Sequence, residues 1–171
     1  QRPVRAFERD QAIEAAQGLQ ESGWSVGRNL RIDIRWSAGR YEDGRRYAGE
    51  LAALTPRVTL ASGTPAVTAL QQAALAGGIV FVLVVDPVGA GFVESLARPG
   101  GNITGFAIFE YAIGAKWLEL LREISPRTTR VAVLRDPSVA TGPGQFGAIQ
   151  TAAPSLRMEI SPVNMRDAGE I

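Results

Sequence analysis

The chain has 171 residues, of which 46% are hydrophobic and 20% are charged. That composition supplies enough apolar material for a packed core and too little net charge for a disordered chain. The 18 basic and 17 acidic residues are spread along the sequence and nearly cancel. No excess charge is therefore available to attract nucleic acid or an acidic membrane surface. We expect a globular protein with no nucleic-acid partner.

Histidine and cysteine are both absent from the sequence. Their absence removes the commonest general base, the thiol nucleophile and the usual ligands of transition metals. Most hydrolase and metalloenzyme functions are thereby disfavoured, and we expect no enzyme activity, no metal and no cofactor. The longest apolar run, Ile79 to Val85, is too short to cross a bilayer, so direct membrane insertion is not expected.

The first fifty residues predict a helix, a strand and a second helix. Apolar residues at helical spacing predict a surface helix over 6–19. From Leu30 to Trp36, apolar residues alternate strictly with charged ones, which is the pattern of a half-buried strand. Helical spacing returns over 41–54, and Pro56 ends that helix.

The middle of the chain alternates between strands and helices. The elements that we predict here are a strand over 58–61, a helix over 65–76, a strand over 79–85, a short helix over 88–96 and a strand over 103–109. The strand over 79–85 has no polar residue, so it belongs in the interior of a parallel sheet covered by helices on both faces. This order predicts an α/β fold with a doubly wound parallel sheet.

A second alternating series follows Phe109. It begins with a helix over 113–124 and continues with a strand over 130–134, a helix over 145–153 and a strand over 157–163. We predict a first lobe over 1–109, and a hinge helix with the start of a second α/β lobe over 110–171. The pattern also predicts that the first lobe lacks its opening strand and that the second lobe is truncated.

Ligands of open α/β sheets bind outside the carboxyl ends of the strands, so the loops there are the candidate sites. After the strand over 58–61, the sequence Ser62-Gly63-Thr64 precedes a helix, with Thr64 as the predicted cap and Pro65 in the first turn. Hydroxyls and unpaired N–H groups at a helix N-terminus can hold an anion or a carboxylate. The alternative is that these residues only cap the helix.

Two carboxylates follow strands in the same way. Asp86 comes directly after the most apolar strand, and Asp136 occupies the equivalent point of the second series. For each of them the alternative is a structural turn. Phe106, Phe109 and Tyr111, with Trp36 further off, could stack on a ligand, although core or hinge packing is the alternative. We expect Trp117 to be a core residue.

Nucleotide-binding fingerprints are missing from the sequence. Gly89-Ala-Gly91 lacks the third glycine of the dinucleotide motif. The P-loop pattern of glycines followed by lysine and Ser or Thr does not occur.

Several longer strings resemble a known family. They are Gly18 to Trp24, Leu60 to Ala66, Val85 to Gly105 and Lys116 to Leu121. Together they are similar to the ABC-transporter substrate-binding family that includes tryptophan/tyrosine-type binding proteins, and the similarity runs from about Ala6 to the last residue. The long string from Val85 to Gly105 is the most specific.

The resemblance implies a type I periplasmic-binding-protein fold, with two α/β lobes joined by hinge crossings and closing on a ligand. It implies an extracytoplasmic or periplasmic solute-binding subunit of an ABC importer. Such a subunit captures a small molecule, with an amino acid as the expected class, and delivers it to a membrane permease without chemistry.

The resemblance also implies which residues face the cleft. Ser62, Gly63, Thr64 and Asp86 fall on cleft-facing loops of the first lobe, and Asp136 faces them from the second. Arg135 and Asp136 depart from the family pattern, which often has Asn or another short polar residue there. Two other classes stay open: a doubly wound α/β enzyme using Asp86 or Asp136 as acid or base, and the effector-binding domain of a transcriptional regulator.

Overall fold

The computed structural model describes residues 3–38, 40–137 and 141–165, and for residues 3–11 the backbone alone. The helices are α1 (Pro3–Glu21), α2 (Tyr41–Ala53), α3 (Thr64–Gln72), α4 (Ile113–Ile124) and α5 (Thr141–Ala152), and a short 3₁₀ helix spans Ala153–Leu156. The strands are β1 (Val58–Ser62), β2 (Gly78–Val84), β3 (Ile103–Ala107), β4 (Arg130–Arg135) and β5 (Glu159–Asn164). None of the helices in these ranges is long and apolar enough to span a membrane.

The strands form two separate parallel sheets. The first has the order β1-β2-β3, and the second pairs β4 with β5. In the first sheet Ile79 lies opposite both Thr59 and Ile103, so β2 is the interior strand, as its apolar sequence predicts. The α/β fold class with parallel sheets is confirmed. No strand joins the two sheets within the described ranges, and the lobe division after Phe109 stays a prediction.

The core of the first sheet lies on one of its faces. Ile79, Phe81 and Val84 of β2 are buried there against Val67 and Leu70 of α3, and alternate residues of β1 point the same way. The opposite face is not packed as predicted: its β1 side chains are exposed and its β2 side chains are half-buried. The all-apolar sequence of β2 could not predict that only one face is packed, because apolar side chains on both faces do not tell which face a helix covers.

Glycine at position 105 lets β2 and β3 approach each other. A Cβ added to Gly105 would lie 2.0 Å from the carbonyl oxygen of Phe81. Beyond this point the pairing of β2 with β3 shifts register between Phe81 and Val84, where Leu83 has a φ of +55°. This irregularity re-aims the end of β2 just before Asp86.

A second hydrophobic cluster belongs to the β4–β5 sheet. Its buried members are Leu118 of α4, Ile149 of α5, Ala153 and Met158. Val131, Val133 and Ile160 of the two strands pack against it. This cluster holds α4 and α5 together beside the sheet.

The predicted strand over Leu30 to Trp36 is wrong. Within the described part of the chain, this segment forms only an isolated bridge between Val26 and Leu30. Its apolar side chains stay partly exposed, and Arg35 binds Glu50 of α2 at 2.7 Å. Alternation sets which face each side chain would occupy, but a strand also needs a neighbouring strand edge.

The predicted short helix over 88–96 is also wrong, because this region forms turns. The N–H of Gly89 donates to the Asp86 carboxylate at 2.7 Å, and the N–H of Ala90 donates to the Asp86 carbonyl at 2.8 Å. Gly91 then adopts a φ of +74°. The left-handed glycine ends this single turn, so no continuous helix follows.

The connection from β1 to α3 depends on Gly63. This residue is the N-cap of α3, with φ of +82° and ψ of 155°, a conformation open essentially to glycine alone. Its N–H donates to the carbonyl of Val82 on β2 at 2.9 Å. Gly63 therefore fixes where the N-terminus of α3 lies relative to the end of β2.

Replacing Phe81 with Ala should lower the free energy of unfolding by about 3–5 kcal/mol, because Phe81 is 1% exposed and its loss leaves a cavity in the sheet core. Phe106→Ala is the matched control, since Phe106 on β3 is 74% exposed. It should change stability by no more than about 0.5 kcal/mol. Urea melts of both variants measure the difference, and equal losses would contradict this location of the core.

Gly63→Ala should destabilise the protein by roughly 1–3 kcal/mol, the usual cost of a backbone conformation that only glycine tolerates. Crowding is not the reason, because the nearest atom to an added Cβ is Pro65 Cδ at 3.7 Å. Gly49→Ala is the control: it lies inside α2 with nothing within 4 Å of its added Cβ, so it should stabilise by about 0.5–1 kcal/mol. Thermal melts showing the same sign for both would refute the strain at Gly63.

Candidate functional site

The loop after β1 presents a helix N-terminus at the carboxyl end of the first sheet. Thr64 is the first residue of α3 and is 5% exposed, and Pro65 lies in the first turn as predicted. The prediction that Thr64 caps the helix is wrong. Gly63 occupies the cap position, and α3 has no side-chain cap bond. Its first turn also carries no acidic residue, so the positive end of the helix dipole is not neutralised there.

Ser62 is brought beside the end of β2. It lies opposite Val82 in the register of β1 and β2. The loops after these two strands are therefore neighbours at one edge of the sheet, where α/β proteins bind ligands. This places Ser62, Gly63 and Thr64 on the same side as Asp86.

The loop after β2 holds the Asp86 carboxylate with backbone donors. Its Oδ1 accepts the N–H of Gly89 at 2.7 Å, and its Oδ2 accepts the N–H of Tyr111 at 3.1 Å. The predicted structural alternative, a turn at Asp86, is therefore present in the structure. An ionised carboxylate has about four acceptor positions, so these two bonds leave capacity for a ligand.

Tyr111 lies against the charge of Asp86. Its pKa is raised, first because the phenol is partly buried and second because of the negative charge of Asp86. Both effects disfavour the phenolate. The phenol is therefore a neutral, partly buried group beside the carboxylate.

A cavity of about 300 Å³ opens at the carboxyl end of β4. It is lined by Trp117, Val133, Leu134, Arg135, Asp136, Thr141, Gly142, Gln145, Phe146 and Ile149. The predicted residue Asp136 is thus in a cavity wall. Ser62, Gly63, Thr64 and Asp86 are not in this lining.

Polar and aromatic groups share the walls of this cavity. The guanidinium of Arg135 lies 4.5 Å from the ring centroid of Phe146, and its Nε donates to Asn164 Oδ1 at 2.9 Å. The side-chain nitrogen of Gln145 is buried and has no hydrogen-bond partner among the described residues. A buried donor without a partner is destabilising by about 1–3 kcal/mol, so an acceptor in the cavity would stabilise it.

The expectation that Trp117 is a core residue is wrong. Its side chain is 44% exposed and lines the cavity, with its ring edge-on to Phe109 at a centroid distance of 5.9 Å. The core position of α4 is taken by the neighbouring Leu118. Adjacent helical residues point about 100° apart, which is the signal that could have separated Trp117 from Leu118.

Gln145 and Phe146 were not recognised as candidates from the sequence. They lie in α5, which follows β4, so the rule that ligands bind where strands end extends to the first turns of the next helix. The sequence did not place them at the cavity because α5 begins at Thr141, four positions before the predicted start.

The comparisons with known proteins agree with this architecture. The family described as ABC transporter substrate binding protein matches residues 8–171. A tyrosine-binding protein of Clostridioides difficile (strain R20291) is 26% identical over 153 residues, which cover 90% of this chain and 44% of that protein.

Two solved structures are similar along most of the chain. A conserved domain protein from Vibrio cholerae has a TM-score of 0.77 and 27% identity, with 88% of this chain and 50% of that chain covered. The ABC domain from Streptococcus pneumonia in complex with L-Trp has a TM-score of 0.77 and 24% identity, with 91% and 52% covered.

The chain spans about half the length of these relatives. The α/β fold of the structural neighbours is the predicted type I periplasmic-binding-protein fold, which is thereby confirmed. Since the family match extends over nearly all of the sequence, the chain belongs to the ABC transporter substrate-binding protein family.

Proposed function

We propose that this chain is the ligand-capturing part of an extracytoplasmic solute-binding subunit of an ABC importer. It binds a small molecule, performs no chemistry on it and delivers it to a membrane permease. The observation that carries this proposal is the family match over residues 8–171. The chemistry of the strand-end loops supports it, because they offer an anion-binding helix terminus and carboxylates.

We propose an amino acid as the ligand class. One relative is named as a tyrosine-binding protein, and one structural neighbour contains L-Trp. A free amino acid has a carboxylate, an ammonium and a side chain, and groups suited to each are available here. Trp117 and Phe146 supply aromatic walls at the end of β4, which suits an aromatic or large apolar side chain.

The loop after β1 would hold the ligand carboxylate. Ser62 and Thr64 supply hydroxyls, and the N-terminus of α3 supplies N–H groups and the positive end of its dipole. Each hydrogen bond to a charged group contributes roughly 1.5–3 kcal/mol. Gly63 takes part through its backbone, which orients this terminus.

The carboxylates would hold the ligand ammonium. Asp86 is fixed by two backbone N–H groups, so it needs little reorganisation to accept a further donor. Asp136 would approach from the second lobe, beside the donors Arg135 and Gln145. In this arrangement residues 1–109 form one lobe, residues 110–171 begin the other, and the ligand lies between them.

Thr64→Val should weaken the binding of L-tyrosine or L-tryptophan about tenfold or more, because one hydroxyl bond to the ligand is lost. Its melting temperature should stay close to that of the parent, because Gly63 and not Thr64 is the N-cap of α3. Thr68→Val is the matched control: its hydroxyl bonds the carbonyl of Thr64 at 3.0 Å, one turn further along α3. Titration calorimetry with each amino acid, beside thermal melts, measures both effects.

The control should bind as tightly as the parent. If Thr64→Val and Thr68→Val bind the amino acids with equal affinity, the loop after β1 does not contact the ligand. No saturable heat with either amino acid would contradict the ligand class. Recovery of a chemically altered amino acid after incubation would favour the enzyme alternative instead.

A further inference from the structure

The crossing segment, defined as residues 108–112, leads from β3 to α4 and is bonded to the loop after β2. The N–H of Ile108 donates to the carbonyl of Val84 at 2.8 Å, and the N–H of Asp86 donates to the carbonyl of Phe109 at 2.8 Å. The carboxylate of Asp86 then accepts the N–H of Tyr111 at 3.1 Å. The first two bonds extend the strand pairing, and only the third depends on a side chain.

The crossing segment also contacts the helices that line the cavity at the end of β4. A Cβ added to Gly144 of α5 would lie 2.4 Å from Cε2 of Tyr111, so the tyrosine ring rests directly on that helix. Phe109 meets Trp117 of α4 edge to face, with the rings inclined at 73°. The crossing segment therefore contacts both of the helices, α4 and α5, that contribute residues to the cavity.

The backbone at Asp86 is held in an unusual conformation. Its φ is +42°, in the left-handed region that Asp and Asn enter more readily than other residues with a side chain. The N–H of Gly89 donates to the Asp86 carboxylate at 2.7 Å, and this bond closes a local turn that supports the conformation. In this geometry the second carboxylate oxygen points toward Tyr111.

We propose that Asp86 is a positioning residue: its carboxylate fixes the path of the crossing segment and thereby the position of α4 and α5 relative to the loop after β2. One consequence rests on the proposed function: a ligand ammonium bound to the same carboxylate would couple ligand binding to the path of the crossing segment. The positioning itself does not require a ligand. The raised pKa of Tyr111, caused by burial and then by the charge of Asp86, supports the same contact.

The test compares Asp86→Asn with Asp33→Asn in this chain. Asp33 is the matched control because it makes a surface ion pair with Arg31, outside the segment. An Asn oxygen can accept the N–H of Gly89 or of Tyr111, but its NH₂ group cannot accept the other. We expect amide exchange of Tyr111, followed by NMR, to accelerate about tenfold or more in Asp86→Asn and to stay unchanged in the control.

The phenol of Tyr111 gives a second, spectroscopic signature. Its pKa should fall toward the ordinary tyrosine value in Asp86→Asn, because the neighbouring negative charge is removed. The chain has three tyrosines, so the ultraviolet titration of Tyr111→Phe is subtracted from that of each variant. A turn that is merely weakened at Gly89 would leave the exchange of the Tyr111 amide unchanged, and that result would overturn the proposal.

Gly144→Ala tests the contact from the other side and keeps the Asp86 carboxylate intact. The new methyl overlaps the tyrosine ring, so the ring must move, and exchange at the Tyr111 amide should accelerate. Gly147→Ala on the same helix is the control, since nothing lies within 4 Å of its added Cβ. Equal Tyr111 exchange in these two variants would show that α5 and the crossing segment are not linked, and would overturn the proposal.

Failure of this proposal is separable from failure of the proposed function. If Asp86→Asn loses calorimetric binding of L-tyrosine while Tyr111 exchange is unchanged, Asp86 contacts ligand and the positioning role is refuted. If Tyr111 exchange accelerates in a chain that binds neither L-tyrosine nor L-tryptophan, the positioning role stands and the ligand assignment is refuted.

Discussion

The rest of the structure depends on the burial of β2 between two parallel neighbours. Ile79, Phe81 and Val84 are withdrawn from water on the packed face, and each backbone polar group of the strand must then be satisfied by β1 or β3. Because all three strands run parallel, their carboxyl ends meet at one edge. The hydrophobic core thereby decides where the polar loops lie, although it contains none of their residues.

The sequence predicts the elements whose cause is local or obvious in composition. The apolar run at 79–85 identifies the interior strand, and the helix predicted over 113–124 has the bounds of α4 in the structure. The strand prediction for Leu30 to Trp36 is wrong because the alternating pattern favours a strand, but no strand edge in the described chain pairs with this segment. The region after Asp86 fails because Gly91, in the left-handed conformation, ends the single turn that follows Asp86.

The sequence predicts where the candidate site lies better than it predicts which residues contact each other there. The rule for parallel sheets leads to Ser62, Asp86 and Asp136, since each follows a strand directly. The bond from Tyr111 to Asp86 joins positions far apart in sequence, and no local pattern encodes it. The same is true of Gln145, whose side-chain nitrogen is buried without a partner in the described part of the chain only because α5 packs over β4.

A carboxylate that supports the fold is well suited to bind a ligand as well. Backbone donors from Gly89 and Tyr111 hold the Asp86 charge in a fixed orientation before any ligand arrives, so little ordering entropy remains to be lost on binding. Gln145 shows the opposite situation, a buried donor with no partner among the residues that the structure describes. Asp86 is hydrogen-bonded and still has acceptor capacity, whereas the Gln145 nitrogen would gain a hydrogen bond that the described residues do not supply.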